Sequence, residues 1–267
     1  MPSKVAIAIG AHPDDVEFYM AGTLLMLKKV GYEIHYLIVA NGNCGSVEYN
    51  AAMTRSIRNA EARAAAKILG AHFHPCLTND MEILYSLDLL RGLAAVIREV
   101  KPVIVLTHSP QDYMEDHMNT SRLAVSAAFT RGMPNFKTVP PRPTADYDVT
   151  IYHALPHGFC DQVRRRIIPD SFVNTSSVHK TQLEALAAHK SQQNWLDLSQ
   201  GMNSYLLVGE NKLLAVGRLS RKFKYAEGWR RHLHYGYCGP DADPLRQALG
   251  KNYLANKASE RSLQRSF

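Results

Sequence analysis

Three short apolar runs constrain this chain more than any other feature: VAIAIG at residues 5–10, EIHYLIVA at 33–40 and VIVLT at 103–107. Such compact, almost unbroken hydrophobicity suits strands buried on both faces, as in a parallel sheet, rather than strands with one wet face. Between and beside the runs lie stretches with helical spacing, about 16–30, 51–69 and 84–99, the first two closed by Gly31 and Gly70. Strands alternating with helices predict an α/β fold, a mostly parallel sheet flanked by helices on both faces.

Further along, a short strand is expected near 71–75, another at 149–154 and a helix at 181–198. Residues 205–219 read as a hairpin turning at Gly209, Glu210 and Asn211. Prolines at 134, 140, 141 and 143 predict a surface loop or lid across 132–148, and from about residue 240 the chain reads as a polar, basic tail. With 267 residues and 46% hydrophobic content, one domain over 1–267 is expected.

No run of ~18 apolar residues occurs, and the start, Met1 to Lys4, leads straight into a strand, so neither a membrane span nor a signal peptide is expected and the reading is cytoplasmic. Cys44, Cys76, Cys160 and Cys238 form no CxxC pair, which argues against a thiolate cluster or a disulfide framework. The net charge of +7 is scattered apart from local clusters such as Arg164 to Arg166, so attraction of an anionic small molecule explains it better than nucleic acid.

In a doubly wound sheet, ligands bind beyond the carboxyl ends of the strands. The first run is followed at once by His12-Pro13-Asp14-Asp15, and the third by a segment from Thr107 to His117 rich in His and Asp. One aspartate there could simply cap the helix that follows, but a histidine and two carboxylates beside a buried strand call for a compensating cation. His12, Asp15 and His117 would give it two imidazoles and a carboxylate with a free position for water.

Beyond this, the chain resembles the PIG-L, or LmbE-like, de-N-acetylases from Val5 to about Trp229. The resemblance rests on AHPDDxE at 11–17, on Arg58, Glu61 and Ala62 leading into Leu69-Gly70, on Asp116-His117, and on Ala188, His189, Ser191 and Gln192. It implies a Rossmann-like, LmbE-like sheet and hydrolysis of an N-acetylated sugar or conjugate, with homo-oligomerisation left open. It further implies Zn2+ on His12, Asp15 and His117, Fe2+ and Mn2+ also suiting such donors. Asp14 would be the general base, and Arg58, Asp80 and Tyr113 would contact substrate. For Arg58 a helix-surface ion pair with Glu61 is an equal alternative.

One position departs from the pattern. Where the family has a second histidine to protonate the leaving amine, this chain has Met114, which cannot do so. His189 is the favoured replacement, with Tyr113, His153 and His157 as alternatives and His108 and His179 read as structural. Two other readings compete: a metal-retaining sugar-binding protein, suggested by Met114, and a non-haem iron oxygenase, which the strand–helix alternation opposes.

Overall fold

The computed structural model describes residues 4–200, 205–257 and 259. Strands β1 (Val5–Gly10), β2 (Glu33–Ile38), β3 (His72–His74), β4 (Ile104–Thr107) and β5 (Thr150–Ala154) are joined by helical crossovers. They pair in parallel, in the spatial order β3-β2-β1-β4-β5. The order reverses between β1 and β4, which makes the ends of these two strands the switch point where ligands bind.

The apolar runs are covered on both faces, as their composition demands. Ala6, Ala8, Ile104 and Leu106 pack with α2 (Ala21–Lys29) and α3 (Ala51–Leu69). Ile7, Ile9 and Val105 pack with α4 (Leu87–Val100) and α5 (Glu115–Phe129). The expected α/β fold is therefore present, and its parallel core rules out the double-stranded β-sandwich on which the oxygenase reading depends.

The rest of the sheet was not legible. Strands β6 (Ser171–Asn174), β7 (Ala226–Arg231) and β8 (Tyr253–Ala255) extend it with antiparallel pairs, so the whole is an eight-stranded mixed sheet. The basic tail expected from about residue 240 contributes α9 (Pro244–Leu249) and β8 before the end of the described region.

The hairpin expected over 205–219 is instead a helix, α8 (Tyr205–Ser220). Its buried residues Tyr205, Gly209, Leu213, Val216, Gly217 and Ser220 recur at helical spacing. The glycines read as turn residues are there for close packing: a Cβ on Gly209 would lie 2.6 Å from Leu186 Cδ2, and one on Gly217 would overlap the Lys224 carbonyl.

Two expected helices are broken. The first is α1 (Asp15–Tyr19) followed by α2, because the side chain of Glu227 on β7 accepts the Gly22 and Thr23 N–H groups and caps α2 there. The second is α6 (His179–Leu186) followed by α7 (Lys190–Gln200), with buried His189 at the break. The proline-rich segment 132–148 is irregular as expected, but it is pinned: Arg98 donates to the carbonyls of Thr130, Met133, Phe136 and Arg142. Among the described residues, none of it lines the cleft described next, so it is no lid over that cleft.

Candidate metal centre

β1 and β4 lie side by side, so the loops leaving them meet over the sheet. Asp15, the first residue of α1, turns back onto the loop: its Oδ2 accepts the N–H groups of Ala11 (3.1 Å) and His12 (2.7 Å). Its Oδ1 faces His117 Nε2 at 3.3 Å, and His12 Nδ1 stands 3.6 Å from Oδ2. One donor atom from each of His12, Asp15 and His117 falls within 4.8 Å of the others, close enough that the three could hold a metal ion.

The chemistry around the donors fits a cation. Each imidazole has its outer nitrogen held by a second carboxylate: His12 Nε2 by Asp116 at 2.8 Å and His117 Nδ1 by Asp112 at 3.1 Å. Once the inner protons are lost, the nitrogens nearer Asp15 would turn lone pairs toward the shared space, the usual way a protein fixes a metal-binding tautomer. Burial pulls both imidazoles down, but the carboxylates prevail: Asp116 and Asp15 hold His12 at about 9, and Asp15 and Asp112 hold His117 at about 10. Burial raises Asp15 too, yet His117 and His108 bring it well below the ordinary carboxylate range. A buried carboxylate thus faces two imidazoles that bind protons tightly, and a divalent cation can take the place of those protons.

Asp14 occupies the N-cap position of α1 without acting as a cap. Its backbone has φ of 104°, a left-handed conformation unusual for a side chain this size, and its carboxylate makes no cap hydrogen bond. Instead the Tyr205 hydroxyl of α8 donates to its Oδ2 at 2.8 Å, and Arg58 Nη2 stands 3.7 Å from its Oδ1. Burial raises Asp14 to about 6 against the pull of Arg58.

Arg58 is buried and donates to the carbonyls of Pro13 (2.6 Å) and Gly42 (3.3 Å), with Asp80 at 3.9 Å. The alternative pairing with Glu61 does not form, since Glu61 accepts the backbone N–H and hydroxyl of Ser191 at 2.8 and 2.6 Å. Asp80 accepts the Gly42 and Cys44 N–H groups and so shapes the loop beside Arg58. Gly42 has φ of +80°, and a Cβ there would sit 2.5 Å from Arg58 Cδ.

A cleft of about 500 Å³ opens over these groups. Its lining joins His12, Asp14, Asp15, His117, Arg58 and Asp80 with Tyr113, Met114 and His157, and with Phe18, Tyr19, Gln192 and Trp195. His189 is absent from that lining. It is fully buried, with Nε2 3.4 Å from Glu17 Oε2, which rules against the direct substrate contact expected of a replacement acid. His153 is likewise buried, hydrogen-bonded to the His108 carbonyl and to His232.

Several residues at or beside the site were missed, among them Asp112, Trp195 and the two described next. His108, read as structural, accepts the Ala11 N–H at Nε2 (3.0 Å), lies 3.2 Å from Asp15 Oδ2 and stacks on His117 with ring centroids 4.1 Å apart. Its place directly after β4 was the available signal. Lys212 of α8 lies behind Tyr19, its Nζ 3.1 Å from the ring centroid, and burial brings it down to about 7. Nothing local marks it, because the helix carrying it was read as a hairpin.

Comparison with known proteins shows the family and the fold. The PIG-L family profile, described as GlcNAc-PI de-N-acetylase, matches residues 7–128. The uncharacterized deacetylase YaiS of Escherichia coli is 30% identical over 136 residues, 48% of this chain and 69% of that protein. The chain belongs to the PIG-L, or LmbE-like, de-N-acetylase family. Within this family it is 28% identical over 195 residues to the diacetylchitobiose deacetylase of Thermococcus kodakarensis, covering 71% of this chain and 70% of that one. It is also 28% identical over 241 residues to the 4-oxalmesaconate hydratase of Pseudomonas putida, covering 85% and 88%. The N,N'-diacetylchitobiose deacetylase of Pyrococcus horikoshii shares the LmbE-like fold, with a TM-score of 0.71 at 22% identity over 91% of this chain and 89% of that one. Among the described residues no helix is long and apolar enough to cross a membrane.

Proposed function

We propose that this chain is a metal-dependent amidohydrolase that removes an acetyl or similar small acyl group from an N-acylated amino sugar or sugar conjugate. The observation that carries the reading is Asp14: a carboxylate held off its helix by Tyr205 and Arg58, beside the His12, Asp15 and His117 donors, at the floor of the cleft. A cation held by those three side chains, Zn2+ as the first expectation, would acidify a water and polarise the acyl carbonyl.

Asp14 takes the proton from the attacking water and passes it to the departing amine nitrogen. A carboxyl near 6 can do both at neutral pH, which is what a site without the second histidine needs. Arg58 and Asp80 offer hydrogen bonds to hydroxyls, while Tyr113 and Trp195 supply ring faces for the apolar side of a sugar. His189 is assigned as a positioning residue that acts on Glu17 behind the site rather than on substrate.

Met114 favours a second reading, addition of water to the double bond of an unsaturated carboxylic acid, which releases no amine. The long match to a hydratase supports it. Acetate release from a panel of N-acetyl sugars, alongside loss of ultraviolet absorbance from conjugated enoic acids, separates the two. The first reading expects chelator-sensitive acetate release that falls by at least ~10²-fold in Asp14→Asn with the metal retained. Hydration without acetate release would replace it, and loss of the metal from Asp14→Asn would undo the division of labour between Asp14 and Asp15.

A further inference from the structure

Among the described residues six tyrosines are buried, and five of them spend the hydroxyl on a fixed acceptor. Tyr36 donates to Glu17, Tyr152 to Asp243, Tyr205 to Asp14, Tyr225 to Glu210 and Tyr237 to the Val125 carbonyl. Tyr19 is the sixth. It is only 7% exposed, yet its hydroxyl has no hydrogen-bond partner among the described residues, and a buried polar group left unpaired calls for a partner from elsewhere.

Tyr19 ends α1 four residues after Asp15, so the two side chains leave the same face of the helix and lean toward its N-terminus. Its ring packs against His108 and His117, with centroids 5.5 and 6.1 Å apart, and it lines the cleft. Lys212 of α8 holds Nζ 3.1 Å from the centroid of the same ring, and that nitrogen is enclosed with no hydrogen-bond acceptor among the described residues. A cation on the face of a phenol draws the ring electrons toward itself, which leaves the oxygen poorer in electrons and makes the O–H a stronger donor. Burial lowers Lys212, while Asp112, Glu227 and Asp15 pull it toward the charged form.

We propose that Tyr19 is a catalytic residue whose hydroxyl donates to the oxyanion formed from the acyl carbonyl, and that Lys212 is a positioning residue acting through the Tyr19 ring. The role rests on the amidohydrolase reading. As the water oxygen bonds to the acyl carbon, the π pair of the carbonyl moves onto its oxygen, and a hydrogen bond there strengthens on the way to the transition state. Asp14 takes the water proton and passes it to the nitrogen as the C–N bond breaks and the C=O bond reforms. Tyr19 keeps its own proton throughout. Neighbouring donors are committed elsewhere, Tyr205 to Asp14 and Arg58 to the carbonyls of Pro13 and Gly42, and Met114 has no proton to offer.

The test compares wild type, Tyr19→Phe, Lys212→Met and the double variant in acetate release from the best N-acetyl sugar of the panel. Calorimetric binding of a methylphosphonamidate of glucosamine, a stable tetrahedral anion, gives a second readout. Tyr19→Phe is expected to lower kcat by ~10²-fold with KM and metal content unchanged, and to weaken binding of the phosphonamidate by a similar factor. Lys212→Met is expected to lower kcat by roughly 5-fold with KM unchanged, and to cost nothing further once residue 19 lacks its hydroxyl. Wild type that releases no acetate would overturn the amidohydrolase reading and this role with it. Acetate release that falls by less than about 3-fold in Tyr19→Phe would overturn the role alone, and equal losses from Lys212→Met in both backgrounds would make Lys212 a packing residue only.

Discussion

The Tyr205 hydroxyl donates a 2.8 Å hydrogen bond to Asp14 Oδ2 across 191 positions of sequence. It ties the loop after β1 to α8, and this bond lowers the pKa of a carboxylate that burial raises. A base works only when deprotonated, so activity is lost as pH falls through about 6. Tyr205→Phe removes a hydrogen bond to a charged group, and the acid limb of the kcat/KM profile is expected to move up by about one pH unit. An unmoved limb would show that Asp14 is not the group titrating.

Metal affinity should depend steeply on pH. His12 at about 9 and His117 at about 10 are both protonated at pH 7, and a cation must displace both protons. Apparent affinity therefore rises with pH, by up to about 100-fold per unit until the pKa of His12 is passed. Calorimetric titration in buffers of different ionisation enthalpy should report close to two protons released per catalytic metal bound at pH 7. Release of less than one would contradict the paired imidazolium arrangement.

Met114→His restores an imidazole at the N-cap of α5, facing the cleft. If the substrate is an amide, a donor for the leaving nitrogen is expected to raise kcat by up to ~10², the lower end for general-acid catalysis. If the reaction is hydration, the same change brings no such gain, so the ratio of the two activities measured in one variant is the informative quantity.

Gly42→Ala puts a methyl group into the Arg58 side chain on a backbone with positive φ. Displacing Arg58 is expected to cost roughly 1–3 kcal/mol, as overpacking does, and to appear mainly as a higher KM. Unchanged kinetics in a folded variant would remove Arg58 from the list of substrate contacts.

The sequence by itself determined the parallel half of the sheet, because unbroken apolar strands followed by helical periods have few other ways to bury both faces. It also marked His12, Asp14, Asp15 and His117, since several charged or ligating side chains at a strand end are costly without a cation. Only the tertiary structure decided the rest. Whether Gly209 and Gly217 turn a hairpin or let a helix pack closely depends on Leu186 and Lys224, which no local pattern reveals. His189 is equally ambiguous on a helical period: it becomes a buried partner of Glu17 because the chain breaks at residue 189, with α6 on one side and α7 on the other. Local spacing fixes which face of an element is apolar, whereas the partner of a buried polar group is chosen by whichever distant segment the packing brings beside it.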